Sequence, residues 1–124
     1  NTLESCSITG NTSSSSHSSS YANGGGVHLY DGTNTMLGTM NITGNSAGNG
    51  NNLHIATTGA IALSSGSKFL STSSKIGVTT KAPTSSTPVQ FATGATSAMA
   101  SCFTPDNSSY KVTYSSSALS LAVK

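Results

Sequence analysis

Two stretches decide the fold: LESCSITGN at 3–11 and MLGTMNITGN at 36–45. At an offset of 34 residues, Ile8, Thr9, Gly10 and Asn11 fall on Ile42, Thr43, Gly44 and Asn45. A second match follows each copy, GGVHLY at 25–30 against NNLHIA at 51–56, now at an offset of 26. The offset changes because the loop between the halves does: TSSSSHSSSYA (12–22) in the first copy, SAGNG (46–50) in the second. Repeated strand-like segments separated by loops of variable length are the signature of a stacked coil.

Each matched segment alternates with period 2, as a half-buried strand does. Val27 and Leu29 face one way, with His28 and Tyr30 the other. Leu53 and Ile55 alternate with His54 and Ala56, and Ile61 and Leu63 with Ala60 and Ala62. The expected inward set is Ile8, Val27, Leu29, Met36, Ile42, Leu53, Ile55, Ile61 and Leu63, with Met40 and Cys6 in equivalent inward positions. The strands are short and punctuated by Gly, Asn, Asp and Ser, which favour turns. DGT (31–33) and TTG (57–59) sit at equivalent corners. Asn11 and Asn45 are placed to form a side-chain ladder, as stacked asparagines do in cross-β assemblies. An antiparallel β-sandwich also has short strands and frequent turns. The matched repeats favour a solenoid whose turns stack into parallel sheets.

The second half changes character. GSKFLSTSSKIGVTT (66–80) reads as one more irregular turn with Phe69, Ile76 and Val78 inside, and KAPTSSTP (81–88) as a loop or boundary. VQFA (89–92) is a strand. YKVTY and ALSLAVK form a hairpin across Ser115–Ser117, with Tyr110, Val112 and Tyr114 on one face and Leu119, Leu121 and Val123 on another. A solenoid end exposes apolar core and unpaired edges and needs a cap. The expected fold is therefore all-β: a right-handed parallel β-helix over residues 1–83, with 84–124 as a C-terminal β cap of the same domain.

Composition narrows the function. The 124 residues include 26 Ser, 18 Thr, 13 Gly and 10 Asn, more than half the chain. That disfavours helices. Only 6% of residues are charged: five lysines, no arginine, and the acids Glu4, Asp31 and Asp106. A net charge of +2 gives no footprint for neutralising phosphates, so nucleic acid is not an expected partner. No run approaches the roughly 18 apolar residues of a membrane span, and the opening NTLESCSITGN reads as the middle of a repeat, as expected for part of a longer chain.

GGGVHLY (24–30), TM (35–36) and MNITGNSAGNGNNLHI (40–55) resemble the glycine-rich repeats of bacterial surface proteins with a right-handed parallel β-helix, the pectin-lyase-like stalks of adhesin-like and polymorphic outer-membrane-type proteins. The resemblance covers residues 3–63. It implies extracellular or bacterial cell-surface display, a role in adhesion or as a passive stalk, and glycans or host or neighbouring surface proteins as partners. Lyases of this fold, by the same resemblance, use acidic calcium ligands and a basic catalyst. Here arginine is absent and no acidic cluster exists, so lyase activity does not carry over.

The candidate site residues are Tyr21, His28, Tyr30 and His54. His28 and His54 occupy equivalent outward positions and on adjacent turns stack about 5 Å apart. Two imidazoles at that distance can share a metal ion, but no carboxylate or cysteine is evidently placed to complete a set, so an exposed ladder without metal or cofactor is expected. Tyr30 beside His28, with Tyr21 in the preceding loop, makes a small platform for a sugar ring, which gives the alternative reading: a carbohydrate-binding module of a secreted polysaccharide-active protein. His17, in the Ser-rich loop, reads as solvated. Cys6 and Cys102 lie 96 residues apart, about four turns or about 20 Å of stack, beyond disulfide reach unless the cap folds back over the first turn; two buried free thiols are expected. Glycoside hydrolysis needs paired carboxylates and a serine triad of the hydrolase type needs a nucleophile elbow. Neither pattern is present, and the chain is expected to be non-catalytic.

Overall fold

A computed structural model of the chain describes residues 1–14, 23–56 and 60–124. It is a parallel β-solenoid of about three turns. The first turn holds β1 (Thr2–Glu4), β2 (Ser7–Thr9), β3 (Thr12–Ser13) and β4 (Val27–Leu29). The second holds β5 (Asn34–Leu37), β6 (Asn41–Thr43), β7 (Ser46–Ala47) and β8 (Leu53–Ile55). The third holds β9 (Ile61–Ala62), β10 (Ser64–Ser65), β11 (Lys68–Phe69) and β12 (Lys75–Thr79). The chain continues through β13 (Val89–Thr93), a 3-10 helix (Ser97–Cys102), β14 (Phe103–Pro105), β15 (Tyr110–Ser115) and β16 (Ala118–Val123).

Two six-stranded sheets run up the stack. One has the order β1-β5-β9-β13-β16-β15; the other runs β2-β6-β12-β8-β4, with β14 also paired to β12. The register follows the sequence repeat. Ser7, Ile8 and Thr9 pair with Asn41, Ile42 and Thr43, and Val27, His28 and Leu29 with Leu53, His54 and Ile55, all parallel. These are the offsets of 34 and 26. In the first sheet Leu3 pairs with Met36, an offset of 33, so the second turn gains one residue at the corner between β5 and β6. Gly10 and Gly44 end the matched strands with φ of +70° and +67°, a left-handed conformation that glycine adopts at least cost. Space does not demand glycine there, since a Cβ meets nothing within 4 Å at either position.

The first two turns make a detour between their strands of the second sheet; the third does not. β12 crosses the gap in one straight strand. Its start pairs with β6 (Ile76 with Ile42) and its end with β8 (Val78 with Leu53), while Ile76 also pairs with Phe103 on β14 along the opposite edge. The straight path depends on Gly77: the Asn52 amide and the Asp106 carboxylate fill the space where a side chain would stand, a Cβ meeting Asp106 Oδ1 at 2.6 Å.

The core lies between the sheets. Met36, Ile42, Leu53, Ile55, Ile61 and Leu63 are all buried to within 2%. Ile8, Val27 and Leu29 of the first turn pack against this core and are partly buried. At the other end Phe91 and Phe103 pack edge to face at 5.2 Å.

Parallel pairing continues past Pro83: β13 lies parallel to β9, and β14 to β12. Antiparallel closure comes from β16, which pairs with β13, and from β15 outside it. Ser116 and Ser117 turn this hairpin with φ of 49° and 60°. Two sequence expectations are corrected. Phe69 is 55% exposed, because Lys68 and Phe69 form the return arm of the β10–β11 hairpin, which projects from the coil between inward Leu63 and Leu70. Tyr110, Val112 and Tyr114 pair directly with Val123, Leu121 and Leu119. Directly paired residues share a face of the sheet, so the two triplets lie on one face. Leu119 and Leu121 are buried against the coil, while Val123 and Tyr114 reach solvent at the hairpin's two ends.

Candidate functional site

The outward face of β4 and β8 carries the candidate site. Register places His28 beside His54, held by main-chain bonds on either side, from Val27 N–H to the Asn52 carbonyl and from Ala56 N–H to the Leu29 carbonyl, both 2.9 Å. The Nδ1 atoms of the two imidazoles are 2.8 Å apart, while the ring centroids are 4.8 Å apart and the planes differ by 15°. The nitrogens approach far more closely than the ring centres, so the rings meet edge to edge rather than face to face. One Nδ1 carries the hydrogen and the other accepts it, which fixes opposite tautomers in the two rings. Burial, and then the charge of His28, hold His54 below the ordinary histidine range.

Tyr30 follows on the same face, its ring 6.2 Å from that of His28 and tilted by 49°, and it is 74% exposed. Asn23 and Asn49 stack beneath as a second register pair, joined by a bridge and by an amide bond of 3.0 Å from Asn49 Nδ2 to Asn23 Oδ1. Together with Lys81 these residues line a groove of about 400 Å³. A second groove of about 450 Å³ shares Asn49, His54 and Lys81 with it and continues past Thr79 to Asp106 and Tyr110. Three of the four sequence candidates, His28, Tyr30 and His54, are thus brought together; Tyr21 lies outside the described residues, as do His17 and the corner at 57–59. Sequence reading missed Asn23, Asn49 and Lys81. The first two share the 26-residue offset of the histidines; Lys81 follows the third turn and has no repeat partner.

A polar relay runs behind this face. Asn11 donates to Asn45 Oδ1 through both its main-chain N–H (3.0 Å) and its side-chain amide (3.1 Å). Asn45 Nδ2 donates to the Ile8 carbonyl at 2.8 Å and to Asn52 Oδ1 at 3.2 Å. Asn52 in turn donates to Asp106 from Nδ2 (2.7 Å) and from its main chain (3.1 Å), and Thr79 adds its hydroxyl at 3.0 Å. The asparagine ladder expected at Asn11 and Asn45 is present, extended sideways by Asn52 and closed by Asp106.

The carboxylates all have local structural partners. Glu4 takes the Lys68 ammonium at 2.9 and 3.1 Å, Asp31 accepts the Gly32 N–H at 2.6 Å, and Asp106 closes the relay. Cys6 and Cys102 are both free thiols. Cys102 is buried, which pushes its thiol up; Cys6, expected to be buried, is only half-buried, with its Sγ 3.3 Å from the Glu4 carbonyl. No described helix is long and apolar enough to cross a membrane. No known family, curated protein or solved structure matches the chain.

Proposed function

We propose that the chain is a non-catalytic solenoid segment of an exported surface protein, a stalk or adhesin-like display module at the bacterial cell surface. The observation that carries this reading is the in-register stacking of like on like, Ile8 on Ile42 and His28 on His54, across successive turns. The turns share one apolar core, and a coil that repeats its own register gains length by adding turns, as a stalk does. The local engagement of Glu4, Asp31 and Asp106 supports a structural role for the chain's acids. Labelling intact cells of the source organism with an antibody to this chain tests the reading. Surface signal without permeabilisation is expected, and signal only after permeabilisation overturns it.

Exposed Tyr30 above the groove of His28, His54 and Asn49 favours a second reading, carbohydrate binding. Aromatic rings with amide and imidazole hydrogen-bonding groups beside them suit a sugar ring's apolar face and hydroxyls. A glycan array and insoluble polysaccharides are the test. A specific hit lost in Tyr30→Ala supports it; a blank from folded protein leaves display ahead.

A further inference from the structure

We infer that His28 and His54 form a two-histidine chelate for a tetragonal divalent cation, copper(II) first and nickel(II) second. This goes beyond the display reading and does not rest on it. The two nitrogens, 2.8 Å apart in the hydrogen-bonded pair, are close enough to reach one ion once the hydrogen between them has moved. An ion about 2.0 Å from each imidazole nitrogen, placed across the 2.8 Å between the two Nδ1 atoms, subtends an angle close to about 90°. That is the cis angle of a square-planar or tetragonal centre, the geometry of copper(II) and nickel(II). A tetrahedral zinc site needs its nitrogens about 3.3 Å apart. The affinity order for nitrogen donors runs the same way, with copper ahead of nickel and zinc.

The scaffold keeps the two histidines adjacent, and the metal takes the place of the hydrogen bond their Nδ1 atoms share. Both histidines are in register on adjacent strands, and the main-chain bonds beside them tie β4 to β8. The two rings are nearly parallel, their planes 15° apart. Binding moves one proton: the ring whose Nδ1 carries the hydrogen passes it to its own Nε2 through solvent, leaving both Nδ1 lone pairs on the metal. A neutral pair therefore takes up the ion without net proton release. Among the described residues no third His, Cys, Asp or Glu joins the pair. The Lys81 ammonium, which lines both grooves, opposes the cation and keeps the site weaker than a closed one.

Untagged protein stripped with EDTA, then titrated with CuCl2, NiCl2 and ZnCl2 by calorimetry and electron paramagnetic resonance, tests this. One copper(II) per chain is expected, with a tetragonal spectrum split by nitrogen and an affinity about tenfold or more above that for zinc. His28→Ala and His54→Ala each lower copper affinity by about tenfold or more. Both imidazoles lie outside the core, and circular dichroism confirms that the variants fold. Wild-type copper affinity in His28→Ala or His54→Ala, zinc bound as tightly as copper, or no saturable copper binding up to about 100 μM overturns the proposal.

Discussion

Asn45 reaches across one turn of the solenoid to donate its side-chain amide to the carbonyl of Ile8 at 2.8 Å. The same side chain accepts both donors of Asn11 and is only 6% exposed. Truncation leaves part-buried polar groups on two turns without this partner, so Asn45→Ala lowers unfolding free energy by about 1–2 kcal/mol. Asn45→Asp costs at least as much, because a carboxylate facing the Ile8 carbonyl has no hydrogen to give. Urea midpoints within error of wild type for both variants would show that the ladder stabilises nothing.

Gly77 is small because Asn52 and Asp106 occupy its side-chain space. Gly77→Ala forces the pair apart and destabilises by about 1–3 kcal/mol. Asn52→Ala relieves part of that clash, so the double substitution costs less than the sum of the singles, as contacting sites do. Additivity in a denaturation cycle contradicts the packing described.

The hairpin that closes the stack turns on two serines with positive φ. Such turns favour Asn-Gly. Ser116→Asn with Ser117→Gly therefore stabilises by about 1 kcal/mol, seen as a melting temperature higher by a few degrees. A fall in melting temperature contradicts the turn geometry.

His54 ties stability to pH. Its folded-state pKa is lowered, by burial and then by His28, so as pH falls through the ordinary histidine value near about 6.5 the unfolded chain takes up its proton first. Stability contributed by the neutral ring is complete above that pH. It declines as pH drops towards the folded-state value and is constant below it. Melting temperatures from pH 7.5 to 5.5 in the presence of chelator (about one unit either side of 6.5) should fall with pH, and His54→Gln should flatten the slope. An unchanged slope in His54→Gln contradicts the assignment.

Much of this architecture is written in the repeat. The offsets of 34 and 26 are the observed pairings of Ile8 with Ile42 and of His28 with His54, because in-register stacking puts like on like. Features that occur once are not legible this way. Phe69 carries the apolar pattern of a core residue, but the β10–β11 hairpin turns it outward. Gly77 looks like any other glycine until Asn52 is seen above it. Asp106 joins the relay from 54 residues beyond Asn52, with no repeat to announce it. The shared face of the hairpin is not legible either, because alternation within one strand does not reveal which residues of the next lie opposite. Of the site, the histidine pair and Tyr30 follow from periodicity; Lys81, arriving from the third turn, does not.

Extending the stack by one turn tests the account most directly. A second copy of residues 34–60 inserted after Ala60 preserves the junction, since Ile61 and Asn34 are register partners. The account predicts a folded chain, longer by about 4.8 Å along its axis in small-angle scattering, and a higher melting temperature from the added burial of apolar side chains between turns. An extended chain that unfolds, melts lower, or shows no gain in length contradicts the claim that this solenoid is built to be stacked.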